Sequence, residues 1–207
     1  MKHYLLIAVM FALAFASCGT KESGSKQLIL YYSQTGATEK VAQELQKALE
    51  ADMEAIGLEN PYTGTYAETI ERVGKERETG NLPKLNPLKA DLSKYETIYL
   101  GYPIWFGTYA LPISSLVKEY DFEGKKIVTF CTFGSGGLEP AIEDLKKALP
   151  KAEIAENGFG IRNARIAAAA KELNRFLVEN NYAEGSVEAL PGYSEMRPVM
   201  EEEKRIF

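Results

Sequence analysis

Histidine is almost missing from this chain of 207 residues: the single histidine is His3, close to the amino terminus. His3 lies in a segment that we expect to be removed during export, so the mature protein would contain none. Without histidine, serine–histidine triads, histidine general bases and most zinc sites are excluded. Ser135 also lacks the G-x-S-x-G spacing of a hydrolase nucleophile. We therefore predict neither a catalytic side chain nor a metal site.

Cysteine is nearly as scarce, with two residues, Cys18 and Cys131. Cys131 ends an apolar strand pattern over 127–131, which is typical of a buried small side chain and not of a reactive thiol.

Clusters of basic residues are missing as well. The chain has 24 Lys and Arg residues against 29 Asp and Glu residues, a formal net charge of −5. We therefore expect no nucleic-acid partner.

A long apolar run occurs only at the amino terminus, where residues 4–16 follow Lys2. This run is short for a membrane span. With the small residues before Cys18 it resembles a bacterial lipoprotein signal, in which the cysteine is lipidated and becomes the first mature residue. The resemblance implies a signal peptide over 1–17 and a polar tether over 18–26. It also implies that the protein is exported and is attached to a bacterial cell membrane through the lipid alone. The alternative is an ordinary cleaved signal in which Cys18 has no role.

Beyond the tether, apolar strand patterns alternate with amphipathic helical patterns. Strands are predicted near 28–32, 53–58, 97–102, 126–131 and 154–161, the last one weaker and broken by Gly158 and Gly160. Helices are predicted near 38–49, 66–77, 111–120, 140–148 and 164–178. The apolar strands are typical of a parallel sheet that is buried on both faces. We predict one α/β domain over 27–182, with a doubly wound sheet of five parallel strands and helices on both faces. Residues 183–207 form an apolar C-terminal extension that packs on the domain or contacts a partner.

The first strand stops at a hydroxyl-rich turn, Ser33-Gln34-Thr35-Gly36-Ala37-Thr38, directly before a helix. The backbone N–H groups of such a turn and the positive end of the helix favour an anion. The hydroxyls of Ser33, Thr35 and Thr38 would add donors. The turn has no Lys or Arg and lacks the Walker pattern, which favours one bound phosphate over a nucleoside triphosphate. The alternative is a plain helix cap.

Two further turns follow strands and carry unusual residues. They are Pro103-Ile104-Trp105-Phe106-Gly107 and Thr132-Phe133-Gly134-Ser135-Gly136-Gly137. In a parallel sheet the carboxyl ends of the strands share one edge, and ligands bind there near the topological switch point. We therefore expect the three turns to form one site. The alternatives are that the glycines only make tight turns and that Trp105 belongs to the core.

These three segments, in this order, resemble the flavodoxin family over about residues 27–180. The resemblance implies strand order 2-1-3-4-5 and a single non-covalent FMN. Residues 33–38 would bind the phosphate, 103–107 and 132–137 would flank the isoalloxazine ring, and Trp105 would pack against that ring. Phe106 stands where relatives carry a second tryptophan, so it could pack on the ring or belong to the core. By position, the peptide between Phe106 and Gly107 is the candidate to reorient when flavin N5 takes up a proton.

The resemblance implies an FMN-binding redox protein that exchanges electrons with an unknown redox protein or a small electron acceptor. Two alternatives remain open. One is an FMN-dependent reductase of the NAD(P)H:quinone type, although the sequence contains no second dinucleotide fingerprint. The other is a binding module that uses the same fold without flavin, because FMN would have to be supplied outside the cytoplasm.

Overall fold

Seven strands and five α-helices form between residues 26 and 183, the part of the chain that the computed structural model describes. The strands are β1 (Gln27–Tyr31), β2 (Asp52–Ala55), β3 (Thr97–Trp105), β4 (Thr108–Tyr109), β5 (Lys126–Phe133), β6 (Glu153–Ile154) and β7 (Phe159–Arg162). The helices are α1 (Ala37–Leu49), α2 (Tyr66–Thr79), α3 (Leu111–Glu119), α4 (Glu139–Ala148) and α5 (Ala169–Glu179). Short 3-10 helices cover Leu92–Lys94 and Asn163–Ala168.

The strands form one sheet in the order β2-β1-β3-β5-β6, and β7 also pairs with β5. All of these pairs are parallel, whereas β4 adds to β3 as an antiparallel hairpin strand. β6 and β7 occupy the same place in the sheet, beside β5, and β4 lies outside the parallel sheet. When the parallel strands alone are numbered along the chain, their order is the predicted 2-1-3-4-5. The structure therefore confirms the flavodoxin-like α/β fold.

The last predicted strand, over 154–161, is divided in the structure into β6 and β7. β6 pairs with the start of β5 and β7 with its end. The interruption includes Gly158, as the sequence predicts, whereas Gly160 lies within β7 and pairs with Cys131. At Gly158 the chain passes so close to β5 that an added Cβ would lie 2.3 Å from Thr129 Oγ1. The predicted helix over 164–178 likewise begins as a 3-10 helix and then continues as α5.

The side chains of the central strands alternate between two apolar layers. In β1, Leu28 and Leu30 belong to one layer, whereas Ile29 and Tyr31 belong to the other. This alternation follows from the two-residue repeat of an extended strand. Residues of α1 and α5 complete the second layer, and residues of α2, α3 and α4 complete the first. Both faces are buried, which explains why the strands have continuous apolar sequences.

Helix α2 begins with a capping box and borders the edge of the sheet that is described below. The Thr65 hydroxyl accepts the Glu68 N–H at 3.3 Å, and the Glu68 carboxylate accepts the Thr65 N–H at 2.7 Å. The Thr65 N–H and the Thr65 hydroxyl both donate to the Glu68 carboxylate, which favours its ionised form and holds the pKa of Glu68 below its usual value. Gly80, with φ of 71°, then ends the helix. The helix is therefore fixed at both ends by local sequence.

Several predictions lie outside the described residues. They are the signal peptide over 1–17, lipidation of Cys18, the tether apart from Lys26, and the C-terminal extension apart from Ala183. Within residues 26–183, no helix has the length and apolar character that crossing a bilayer requires.

The close contact between β3 and β5 gives a stability prediction. A Cβ added at Gly101 would lie 2.1 Å from Cζ of Phe130, whose ring covers the glycine. Because the buried ring has no room to move, we expect Gly101→Ala to lower the free energy of unfolding by about 1–3 kcal/mol, as overpacking typically does. Denaturant unfolding of the full chain measures this.

Gly74→Ala is the matched control, because nothing lies within 4 Å of a Cβ at this position in α2. We expect it to stabilise the chain by about 0.5–1 kcal/mol, since alanine is the better helix former. Equal stabilities of the two variants would contradict the tight contact at Gly101.

Candidate functional site

Three segments at the carboxyl ends of the adjacent strands β1, β3 and β5 lie at one edge of the sheet. The predicted turns after β3 and β5 begin within the strands themselves, because β3 continues to Trp105 and β5 to Phe133. We name them the first loop (33–38), the second loop (103–107) and the third loop (132–137). The Tyr32 N–H donates to the Gly101 carbonyl at 2.9 Å, which places the start of the first loop beside β3. Pro103 stands opposite Thr132 in the register of β3 and β5. The structure therefore brings all three predicted segments together.

The first loop presents backbone donors at the start of α1. Gly36 caps the helix in a left-handed conformation, with φ of 83° and open space where a Cβ would be. Ala37 and Thr38 are in the first helical turn, where the helix offers no acceptor for their N–H groups. The Ser33 hydroxyl accepts the N–H of Glu39 at 3.2 Å. The loop therefore caps helix α1, which was the alternative interpretation of the sequence, and also presents N–H groups that suit an anion.

Thr38 links the first loop to the third loop. Its side chain is 1% exposed, and its hydroxyl lies 2.9 Å from the hydroxyl of Thr132, 94 residues further along the chain. The sequence predicts the Thr38 hydroxyl as a phosphate donor, whereas in the structure it is engaged in this hydrogen bond. Both hydroxyls are buried and satisfy each other, so the pair fixes the spacing of the two loops.

The second loop is a β-hairpin that the sequence does not reveal. Trp105 pairs with Thr108, and the two residues between them, Phe106 and Gly107, have φ of 51° and 81°. Two-residue hairpin turns with positive φ favour Asn-Gly, and a bulky residue there is strained. Phe106 is 53% exposed, so it does not belong to the core. The guanidinium of Arg77 in α2 lies 5.3 Å from the centre of its ring.

The hairpin is anchored to α4. The Thr108 hydroxyl donates to Asp144 Oδ2 at 2.8 Å, and this hydrogen bond is the main reason why the pKa of Asp144 lies below its usual value. At the base of the hairpin, the Ala110 N–H donates to the Pro103 carbonyl at 3.2 Å. The second loop is therefore held at its base and along one side, while Phe106 at its tip faces solvent.

The third loop is exposed at Gly134, Ser135 and Gly136. Gly136 has φ of 87°, and a Cβ on it would lie 4.0 Å from Cγ2 of Ile104 in the second loop. The second and third loops are therefore neighbours across the edge. Next to them, the Arg162 guanidinium lies 5.9 Å from the ring centre of Phe133.

Trp105 is half-buried, and two tyrosine rings contact it edge-on. The ring centres of Tyr32 and Trp105 are 5.8 Å apart at an interplanar angle of 83°, and those of Tyr62 and Trp105 are 5.2 Å apart at 90°. Such edge-to-face pairs are favourable for aromatic rings. Trp105 packs against the apolar layer and keeps part of its surface accessible at the loop edge.

Sequence reasoning missed a group of residues after β2 that borders the site, namely Tyr62, Arg72 and Glu76. The Tyr62 hydroxyl donates to Glu76 Oε2, and the Arg72 guanidinium lies 4.1 Å from the centre of the Tyr62 ring. Burial, followed by the hydrogen bond to Glu76, raises the pKa of Tyr62 well above its usual value. The only signal in the sequence is an aromatic residue in the Pro-Tyr-Thr-Gly turn over 61–64.

The described part of the chain offers neither an accessible thiol nor a cluster of metal ligands. Cys131 is fully buried, as predicted, and its burial raises the pKa of the thiol. Within residues 26–183, no three histidine, cysteine or acidic side chains are grouped so that they could hold a metal ion.

The buried threonine pair gives a second stability prediction. We expect Thr38→Val to destabilise the chain by about 1–3 kcal/mol, because it leaves the buried Thr132 hydroxyl without a partner. In the Thr38→Val background, Thr132→Val should lower the free energy of unfolding less than it does in the wild-type chain, because it removes a hydroxyl that is already unpaired. A double-mutant cycle of unfolding free energies measures the coupling, and strictly additive effects would contradict the hydrogen bond.

Comparison with known proteins places the chain in a family. The sequence profile of a family described as Flavodoxin matches residues 26–179. Among solved structures, a protein assigned as a flavoprotein from Bacteroides eggerthii shares 26% identity, with a TM-score of 0.62 over 75% of this chain and 99% of that chain. A similarly assigned protein from Bacteroides uniformis also shares 26% identity, with a TM-score of 0.64 over 73% of this chain and 99% of that chain.

A flavoprotein from Lactobacillus acidophilus, solved in complex with FMN, has the same fold. It shares 19% identity, with a TM-score of 0.59 over 71% of this chain and 99% of that chain. A comparison with curated proteins gives no match. The profile match covers most of the chain and agrees with the sheet order and the three loops. This chain therefore belongs to the flavodoxin family.

Proposed function

We propose that this protein binds one FMN non-covalently and transfers electrons through it. The observation that carries the proposal is the meeting of the first, second and third loops at the carboxyl edge of β1, β3 and β5. Membership of the flavodoxin family and the FMN complex of the Lactobacillus acidophilus relative support FMN as the cofactor.

The first loop fits a phosphate group. The N–H groups of Ala37 and Thr38 have no acceptor in the helix, and Gly36 leaves the space above the turn open. Ser33 and Thr35 would add hydroxyl donors. Thr38 would contribute its N–H group, because its hydroxyl is engaged with Thr132. The donors within the loop are all neutral, which suits a phosphate that stays bound.

The second and third loops fit a planar ring. Trp105 offers a partly accessible aromatic surface, and the backbone at Gly134 and Gly136 is exposed where N–H groups could approach ring atoms closely. When bound, FMN would supply the electron chemistry, and the protein would supply binding, orientation and electrostatics. The hydroxyls of Tyr32 and Tyr62 are protonated at neutral pH, as phenols ordinarily are, and burial raises the pKa of both still further. They therefore act as neutral hydrogen-bond donors around Trp105.

The accessibility of the rim supports electron transfer to an external partner. Phe106 and the third-loop residues Gly134, Ser135 and Gly136 are exposed to solvent, although the Arg77 guanidinium lies over one part of the Phe106 ring. An open rim lets a redox protein or a small acceptor approach the ring edge. Electron transfer as a carrier is therefore the function that we favour.

The cofactor prediction is tested by purification of the full chain in detergent. We expect a yellow protein from which denaturation releases about one FMN per chain. A colourless preparation that also fails to bind added FMN would contradict the proposal that the protein transfers electrons through FMN.

A second measurement on the same sample separates a carrier from a reductase. A carrier should accept electrons from a chemical reductant but show no steady turnover with NADH or NADPH and a quinone. Sustained oxidation of either nucleotide would identify a reductase instead.

We further propose that the chain is exported and held at a bacterial membrane by a lipid on Cys18. The support is the amino-terminal sequence, in which a positive residue, an apolar run and small residues precede the cysteine. The polar residues 19–26 would then separate the lipid from β1 as a short tether.

The lipid anchor predicts a membrane-bound chain in the native host. Cys18→Ser should move the protein out of the membrane fraction on cell fractionation. Mass spectrometry should show that residue 18 no longer carries the added lipid mass. Cys131→Ala is the matched control, because Cys131 is fully buried in β5 and lies outside the signal. A wild-type chain without added lipid mass at Cys18 would refute the anchor.

A further inference from the structure

The orientation of Trp105 depends on a residue outside the three loops. Its ring is contacted by the edges of Tyr32 and Tyr62, and the Tyr62 pair is the closer and the more nearly perpendicular. Tyr62 lies in the connection between β2 and α2 and is 5% exposed. An irregular connection does not fix a ring by itself, so other contacts must hold Tyr62 in place.

Helix α2 supplies those contacts. The Tyr62 hydroxyl donates to Glu76 Oε2, while Glu76 Oε1 accepts Arg72 Nε at 2.8 Å. Arg72 also donates to the carbonyls of Pro61 at 3.0 Å and Asn60 at 2.9 Å, and its guanidinium stacks on the Tyr62 ring at 4.1 Å. Arg72 and Glu76 therefore hold both the backbone and the ring of this connection. We refer to Tyr62, Arg72 and Glu76 together as the α2 clamp.

The α2 clamp is also connected to the first loop. Gln34 Nε2 donates to the Tyr62 carbonyl at 2.7 Å, and the Tyr32 hydroxyl donates to Gln34 Oε1. Gln34 thus bridges the two tyrosines that contact Trp105. The Glu76 side chain is only 15% exposed, and both of its oxygens accept hydrogen bonds within the clamp. The network is satisfied internally, which is what a fixed ring orientation requires.

We infer that Tyr62 is a positioning residue, held by Arg72 and Glu76, that sets the ring plane of Trp105 and through it the affinity for FMN. The inference rests on the proposed function, because it takes Trp105 to be a flavin contact. It assigns a role in the cofactor site to α2, although none of the three loops includes this helix. The Tyr62 side chain acts on the site through Trp105, because Gln34 of the first loop contacts the backbone carbonyl of Tyr62 and not its ring.

The test begins without flavin, because Trp105 is the single tryptophan of the chain. Time-resolved fluorescence anisotropy of the full chain, stripped of any FMN, reports the mobility of this ring alone. Tyr62→Leu removes both ring and hydroxyl, and we expect a clear drop in residual anisotropy. A folded Tyr62→Leu chain with wild-type anisotropy would overturn the inference, whatever the protein does with FMN.

FMN titration then tests the second half of the inference. We expect Tyr62→Leu to weaken FMN binding by about three- to tenfold, the range that the loss of one aromatic pair produces. In a Trp105→Ala background the same substitution should change the affinity less than about twofold, because Tyr62 then has nothing to position. An equal loss in both backgrounds would show that Tyr62 acts by another route and would overturn the inference.

A second variant keeps the test decisive if Tyr62→Leu does not fold. Glu76→Gln preserves the shape of the side chain but removes the charge that holds Arg72. We expect lower Trp105 anisotropy and roughly threefold weaker FMN binding, since hydrogen bonds to charged groups are the stronger ones. Unchanged anisotropy in this variant would also count against the clamp.

Tyr95 provides a matched control at the opposite edge of the sheet, just before β3. Its hydroxyl donates to Asp52 Oδ2 at 2.7 Å, so it repeats the tyrosine–carboxylate pair of the clamp away from the loops. Tyr95→Leu should leave both the anisotropy and the FMN affinity within about twofold of wild type. If the wild-type chain binds no FMN, the proposed function fails, and the anisotropy alone decides whether Tyr62 positions Trp105.

Discussion

The parallel alignment of β1, β3 and β5 is the constraint on which the rest of this structure depends. Parallel neighbours must end at the same edge, so the chain segments that follow them meet there although they are far apart in sequence. The buried hydrogen bond between Thr38 and Thr132 then sets the distance between two of these segments. The site is therefore a consequence of strand direction, and one pair of hydroxyls ties its first loop to its third.

The chemistry at this edge is largely neutral within the loops themselves. The first loop offers backbone N–H groups and hydroxyls, the second offers aromatic rings, and the third offers exposed glycine backbone. The charged groups lie outside the loops, on neighbouring helices. Arg72 and Glu76 of α2 support Tyr62, and Asp144 of α4 accepts a hydrogen bond from Thr108 of the hairpin. Such an arrangement suits a cofactor that brings its own reactivity, because the protein needs to orient it and not to react with it.

Sequence reasoning succeeded where local patterns carry the information. The apolar runs of β1, β3 and β5 and the helical spacing of α1 predicted the layered α/β fold, whereas the strand order that agrees with the structure was implied by the family resemblance. The three segments that were expected to share one edge of the sheet do lie together there. The glycine pattern marked the interruption of the last strand at Gly158, but Gly160 pairs within β7, because a glycine can also remain in a ladder.

The sequence by itself determined which segments are strands, helices and candidate loops, because burial, periodicity and turn chemistry act over a few neighbouring residues. Only the tertiary structure decided which side chains meet. Thr38 was recognisable as a hydroxyl at a helix start, but its partner lies 94 residues away. Tyr62 was recognisable only as part of a turn, yet packing against α2 brings its ring to Trp105. Contacts of this kind depend on how the layers assemble, and no local pattern encodes them.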